Sequence, residues 1–387
     1  MKTLLAFTHA LRDLILLKLP IKRVTSKYTF AFLVHSRNLT DVHRKYPITR
    51  VLPTRMLNWL ILRAWPVVVS QVDGLKDLTS GESIHGLVIG LPMTASQMMA
   101  NKSLALKKVI DAVHLSEKFG VKIIGLGAYT SSLSAGGLHL IDKVKASLTT
   151  GHAYTAHTVR EYVLHCLKLF NLDRKSINVS IVGAGGSIGS TVAKLLAADG
   201  FTKLQLIDLE HRTDKINELE IDIHLLHPTV VISKFSSISS VINSEIVVTA
   251  TNAAQALIYS RDLMEGAIVI DDAQPPDVAE DVMERDDILV VAAGTVHTPN
   301  IETHFNFGLK DKHDNFCCLC EVMILSSHSH NGHYVLSRPS LEQVKGMAKM
   351  GKRLGFKLAR LQNFKEIISN AKIESVASAI KKRDVHL

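Results

Sequence analysis

Apolar residues in this chain fall into short runs separated by turn residues, and their spacing alternates between strand-like and helix-like periods. Residues 29–35 and 84–90 are short and apolar and predict strands. Residues 101–119 then carry apolar side chains at helical spacing, and Val121 to Leu126 returns to a strand pattern. Strand, crossover helix and strand in that order imply a right-handed parallel unit, hence a first α/β domain. Leu91-Pro92-Met93 is expected to be the loop after the second strand, and Gly127 to Gly137, rich in Gly, Ser and Thr, a loop that presents hydroxyls to a ligand or simply to solvent. Thr149-Thr150-Gly151-His152 opens a long helix to about Phe170, with Thr149 or Thr150 as its cap.

A second series of runs, at 176–182, 203–208, 244–252, 267–272 and 288–293, has the order a doubly wound sheet requires. Between the first two stands Ile181-Val182-Gly183-Ala184-Gly185-Gly186-Ser187-Ile188-Gly189, followed by apolar residues at helical spacing. Strand, glycine turn and helix form the context of a dinucleotide site. Gly183 makes the turn, Gly185 admits the pyrophosphate, Gly186 and Gly189 let the helix pack on the sheet, and Ser187 and Ile188 lie at the helix start. The spacing is GxGGxxG rather than strict GxGxxG, and glycine turns that bind nothing share the pattern. Asp208 ends the next strand 25 positions after Gly183, where an acid accepts from the adenosine ribose. An anion there repels a 2′-phosphate and favours NADH over NADPH. Glu210 competes for the role, and His211 or Arg212 suits a phosphate instead. Thr251 ends a strand on the nicotinamide side. Asp271, Asp272 and Thr295 also sit at strand ends, as ligand groups or as turn and cap residues.

The predicted fold is therefore α/β with two domains, the second a Rossmann-like doubly wound parallel sheet, and C-terminal helices packing back across the cleft. Residues 1–28 form an N-terminal extension, 29–171 a substrate-binding domain and 172–300 the dinucleotide domain. A helical segment with a cysteine cluster spans 301–360, including a helix over 339–360, and a basic extension spans 361–387.

The 387 residues suffice for two domains, and 47% hydrophobic with 21% charged excludes long disorder. The formal charge is +9, and from residue 341 onward eleven Lys and Arg face four acids. Such a surface attracts an anionic partner, or is a solvated helix face with none. Nucleic acid is not expected: aromatic residues are 5% and no zinc-finger or RNA-binding signature occurs. Four cysteines in the whole chain make no secreted disulfide framework, so a reducing cytoplasm is expected. Arg12, Asp13 and Lys18 interrupt the signal-like start, and Arg63 and Pro66 break the apolar run Trp59 to Val69. Residues 1–20 and 52–69 are left as places for peripheral membrane contact.

Cys317, Cys318 and Cys320 lack the spacing of a zinc-binding pair, and no metal site is expected. With Asp314 or Asn315 as cap, Cys317 and Cys318 fall in the first turn of a helix, where a thiolate is stabilised and can attack an activated carbonyl. A buried apolar cysteine cluster fits the same spacing. His152, His157 and His313 are candidate proton handlers, with Tyr154 as a hydrogen-bond donor. His152 and His157, five apart, do not share a helix face.

These residues resemble the long-chain acyl-[acyl-carrier-protein] reductases of cyanobacterial type over roughly residues 29–360. The likeness is carried by Leu91-Pro92-Met93, Gly125 to Ser131, Thr149 to Ala156, Gly183 to Gly189, Ile270 to Pro275 and Phe316 to Met323. It implies NADH- or NADPH-dependent reduction of a fatty acyl thioester, carried by an acyl carrier protein or CoA, to a fatty aldehyde, and it places the nucleophile on Cys318. Thr130 and Ser131, or N–H groups of the helix start, would hold the oxyanion. The chain departs from the family in having Tyr154 where a histidine is usual, with His152 two residues earlier, and Asp208-Leu209-Glu210 where a basic residue is usual. Two other readings remain: a dehydrogenase like the shikimate or amino-acid enzymes, acting on a small polar substrate without a covalent intermediate, and a cofactor-sensing or scaffolding protein that binds nucleotide without turnover.

Overall fold

Tyr28–Ser36 (β1) is an apolar strand buried along its middle, and around it the first sheet is built. Beside it lie Val67–Lys76 (β2), Ser83–Thr94 (β3), Ile123–Leu126 (β4) and Ser147–Thr149 (β5), in the order β2-β3-β1-β4-β5, and the short strand Glu302–Thr303 completes the six by pairing antiparallel with β2 at the edge. β1 pairs parallel with β3 and β4, β4 pairs parallel with β5, and β2 runs antiparallel to β3. The computed structural model describes residues 2–21, 24, 27–305 and 307–386. It comprises two units: Met1–Gly151 with Thr298–Ser337 and Gly346–Phe356, and His152–His297 with Arg338–Lys345 and Lys357–Leu387.

In the first unit the Lys102–Lys118 helix buries Ala105, Val109, Ala112 and Val113 with Leu33, Ile89 and Leu126 of the sheet. Its helical spacing is the one read in the sequence. β3 runs through Leu91-Pro92-Met93 to Thr94 instead of ending in a loop there. The register with β1 slips between His35 and Ser36, opposite Leu91 and Thr94, so the missing N–H of Pro92 falls where the ladder is already irregular. The apolar stretch after Trp59 is divided at Pro66 into the Thr54–Arg63 helix and β2. Residues 127–137 are partly helical, over Tyr129–Leu133.

The Lys2–Lys18 helix is part of this unit rather than an extension. Leu16 is buried, Trp65 Nε1 donates to Ala10 O at 2.7 Å, and buried Asp13 accepts from Val68 N at 2.8 Å. Burial pushes the Asp13 carboxyl up, against the hydrogen bonds that favour its anion.

The second unit holds Val179–Val182 (β6), Lys203–Ile207 (β7), Val231–Phe235 (β8), Ile246–Thr249 (β9), Ile268–Asp271 (β10) and Leu289–Ala292 (β11). Their order is β8-β7-β6-β9-β10-β11, parallel throughout. Counted within the unit this is 3-2-1-4-5-6, the Rossmann order, as the sequence predicts. β6, β9, β10 and β11 are buried end to end, which explains their unbroken apolar runs. β8 lies at the edge with Val231 and Phe235 exposed, and its sequence has no such run.

The long helix His152–Phe170 belongs to this second unit, because ten of its residues are buried and it packs on the Ser187–Ala198 helix and β10. The unit therefore starts twenty residues before the expected boundary at 172. Residues 361–387 are also integral to it: the Asn370–His386 helix buries Val376, Ala379 and Ile380 and contacts β11. The expected helix over 339–360 ends at Arg353, and Lys357–Leu358 pairs antiparallel with Val296 and His297. Among the described residues no helix is long and apolar enough to cross a membrane.

Candidate active site

β6 and β9 are the neighbours at which the strand order of the second sheet reverses, the point where doubly wound folds bind ligands. Gly183 follows β6 with φ +82°, and a Cβ there would lie 2.7 Å from Ala250 O, beyond the end of β9. A Cβ on Gly189 would lie 2.4 Å from Gly183 O. Both positions therefore require glycine. Gly186 precedes the Ser187–Ala198 helix, and no side chain caps it. An uncapped helix start behind a tight glycine turn takes a phosphate group.

Asp208 supports this turn from below. Its Oδ2 accepts from Gly185 N at 2.7 Å, its Oδ1 accepts from Leu209 N at 2.8 Å, and its side chain is 6% exposed. Arg212 Nη1 stands 3.9 Å away. Two side chains that the sequence did not assign to the turn flank it. Arg338, about 150 residues downstream, brings its guanidinium to 3.4 Å from Gly185 O, and His152 Nδ1 lies 2.8 Å from Ser187 Oγ. Nothing local marks Arg338, a lone basic residue before Pro339. His152, expected as a catalytic group, is thus placed at the glycine turn.

Thr251 is held by Asp277, donating Oγ1–H at 2.6 Å and N–H at 3.2 Å. Its hydroxyl is thereby engaged by protein rather than presented to cofactor. Asp271 is a loop organiser: it accepts from Thr249 Oγ1 and from the N–H groups of Ala273, Asp277 and Val278. Burial and the nearby Asp277 still push its carboxyl up to about 7, and burial with both neighbours pushes Asp272 well above the usual range. Tyr154 is buried with its ring 5.8 Å from that of His157. Burial lowers the His157 pKa despite Glu161 at 3.9 Å.

In the first unit, Cys317–Ser327 is a helix whose cap residue is Phe316, not Asp314 or Asn315, and no side chain caps it. Asn315 instead donates Nδ2–H to Thr298 Oγ1 at 2.6 Å, and Asp314 is the first residue of a short strand. Cys317 and Cys320 are 1% and 0% exposed, whereas Cys318 is partly exposed. Burial pushes the Cys320 thiol well up. All four cysteines are reduced.

Glu321, one turn after Cys317 and fully buried, accepts from Thr149 Oγ1 and from Gly151 N at 3.1 Å. It ties the Thr149-Thr150-Gly151 turn to the cysteine helix. An acid in the apolar run Leu319 to Leu325 was the available signal, since fully buried carboxylates are almost always paired. Thr149 spends its hydroxyl on Glu321, and Thr150 Oγ1 is buried without a partner, so Thr150 does not cap the following helix. Thr130 and Ser131 are buried, and Thr130 Oγ1 donates to Gly127 O at 2.7 Å, which engages its proton within the loop. His313 contributes its carbonyl, which accepts from Thr298 N and Oγ1.

Residues 166–294, about a third of the chain, match the Shikimate / quinate 5-dehydrogenase family model. The aminotransferase PigE of Serratia sp. (strain ATCC 39006) is 24% identical over 304 residues, covering 76% of this chain and 35% of that protein. The chain thus spans about a third of the length of this relative. The long-chain acyl-[acyl-carrier-protein] reductase of Synechococcus elongatus is 22% identical over 323 residues, covering 76% of this chain and 89% of that protein. Among solved structures, the NAD-dependent malic enzyme of Thermotoga maritima is 13% identical with a TM-score of 0.42, covering 92% of this chain and 84% of that one. The order of the second sheet, its glycine turn and the carboxylate beneath it make this half of the chain a nicotinamide-dinucleotide site, with NADH or NADPH as cofactor.

Proposed function

We propose that this NAD(P)-dependent oxidoreductase reduces an acyl thioester, delivered on an acyl carrier protein or CoA, to the aldehyde through a thioester on Cys318. The observation that carries the reading is the contrast within the cysteine cluster. Cys318 alone is partly exposed, and it stands in the first turn of an uncapped helix, braced by Gly151 and Glu321.

A helix start favours thiolate over thiol. The Cys318 sulfur attacks the thioester carbonyl, the new C–S bond forms, and the carrier leaves as its thiolate. N–H groups of the helix start are the donors for the oxyanion, since the Thr130 hydroxyl is spent on Gly127. When bound, NAD(P)H supplies a hydride for the acyl carbon, which releases aldehyde and returns Cys318 as thiolate. Gly183, Gly185, Gly186 and Gly189, with Ser187 and Ile188, form the turn that holds the cofactor. Asp208 disfavours a 2′-phosphate, which makes NADH the preferred form.

The match of residues 166–294 to a shikimate/quinate family favours a second reading, a dehydrogenase of a small polar substrate without a covalent intermediate. That match covers the cofactor half and leaves Cys318 outside it. Wild type and Cys318→Ala, assayed for aldehyde with short to long acyl thioesters and each cofactor, separate the readings. Aldehyde from wild type alone supports the acyl-enzyme; equal turnover by the variant rejects it.

A further inference from the structure

We propose that the start of the chain forms a docking surface for an anionic lipid bilayer, made by the Lys2–Lys18 helix and the 46–65 segment beside it. The Lys2–Lys18 helix and the 46–65 segment hold six Lys and Arg, Lys2, Arg12, Lys18, Arg50, Arg55 and Arg63, against one acid, a net +5 of the whole chain's +9. That acid, Asp13, and Asp41 beside the segments are each spent on neighbouring arginines. Asp13 is buried and bonded to Arg12 and Val68, and Asp41 is held by Arg37 and Arg44. Among the described residues no acid pairs with Arg50, Arg55 or Arg63.

The same surface exposes large apolar side chains. Phe7, Leu11 and Ile15 recur every four residues on the first helix, 44–55% exposed, opposite its buried face of Ala10, Asp13 and Leu16. Val51 is 79% exposed and Trp59 52%, with Ile48 and Met56 also exposed nearby. The two segments touch: the Phe7 and Tyr46 rings are 5.4 Å apart, and Trp65 bonds to Ala10. Arg63 lies over the Trp59 ring at 4.1 Å. A basic surface with an apolar stripe and a Trp-Arg pair matches the boundary between headgroups and acyl chains.

Charge and apolarity together select the occupant. A second copy would oppose one strongly positive surface to another. An acidic protein would satisfy the charge but leave apolar side chains spread over two helices and a turn without an apolar counterpart. A bilayer with anionic headgroups meets both needs. The proposal is independent of the reaction assigned to Cys318.

Both tryptophans of the chain, Trp59 and Trp65, lie in this surface, so intrinsic fluorescence reports on it directly. The full chain is titrated with phosphatidylcholine vesicles, with and without phosphatidylglycerol, and sedimented. A blue shift and at least about tenfold tighter binding to the anionic vesicles, weakened by salt, are expected. The pairs Leu11→Ser with Ile15→Ser, and Arg50→Gln with Arg55→Gln, should each weaken binding about tenfold with unchanged melting temperature. No sedimentation, equal binding to neutral vesicles, or indifference to both pairs overturns the proposal. So does binding of an acidic carrier protein that both pairs abolish while vesicle binding persists.

Discussion

A Cβ on Gly151 would lie 2.4 Å from the Cβ of Cys318, so the turn and the cysteine helix meet where no side chain fits. Gly151 also has φ +81°, a left-handed conformation that disfavours any other residue. Gly151→Ala should therefore cost about 1–3 kcal/mol of stability and displace the thiol. The expected result is a lower melting temperature together with a loss of Cys318 acylation at least tenfold larger than that of an equally destabilised variant elsewhere, a factor of about 1.4 kcal/mol. Acylation unchanged at a temperature where the variant is folded would separate the turn from the chemistry.

Glu321 holds the same turn through Thr149 and Gly151. Glu321→Ala leaves two buried donors without an acceptor, a cost of about 2–4 kcal/mol, while Glu321→Gln keeps an acceptor and should cost less than half as much. Denaturant unfolding of the two variants measures the difference.

Much of this arrangement was legible and some was not. The glycine turn and the strands around it announce themselves because β6, β9, β10 and β11 are buried along their length and so need apolar residues throughout. β8, an exposed edge strand, is under no such demand and left no pattern. The boundary at His152 was missed because helical periodicity shows that a helix has a buried face, not which sheet it covers. Cys318 was singled out among the three cysteines only by the resemblance to the reductase family, and its exposure relative to Cys317 and Cys320 depends on tertiary packing. Arg338 reaches Gly185 across about 150 residues of chain, a contact that no local pattern encodes.

At the cofactor turn, NADH should bind about tenfold more tightly than NADPH, because Asp208 opposes a 2′-phosphate, and Asp208→Asn should narrow that ratio. Arg338→Gln should weaken ADP-ribose about tenfold, the value of one charge-assisted contact, while adenosine binding stays unchanged. Calorimetric titration of these ligands checks both. Equal loss of adenosine affinity would mean that Arg338 only shapes the turn.

The carboxylates beyond β10 give stability a pH dependence. Asp271 is raised from 3.8 to about 7 by burial and by Asp277, and Asp272 and Asp277 are raised as well. From about pH 4 to 7 the folded state retains protons that the unfolded chain has released, so this contribution is present in acid and is lost as pH rises. Asp272→Asn should flatten that decline, raising the melting temperature at pH 8 relative to wild type more than at pH 5. An equal change at both values would remove the acid cluster as its cause.

The acyl-enzyme itself is most directly tested by incubating the chain with an acyl thioester in the absence of cofactor, then mapping the adduct by peptide mass spectrometry before and after addition of NADH. The acyl mass should sit on the peptide at Cys318, vanish as aldehyde forms, and be missing from Cys318→Ala while Cys317→Ala and Cys320→Ala retain it. Aldehyde formed by Cys318→Ala at the wild-type rate, or an adduct that persists there, would contradict the covalent mechanism.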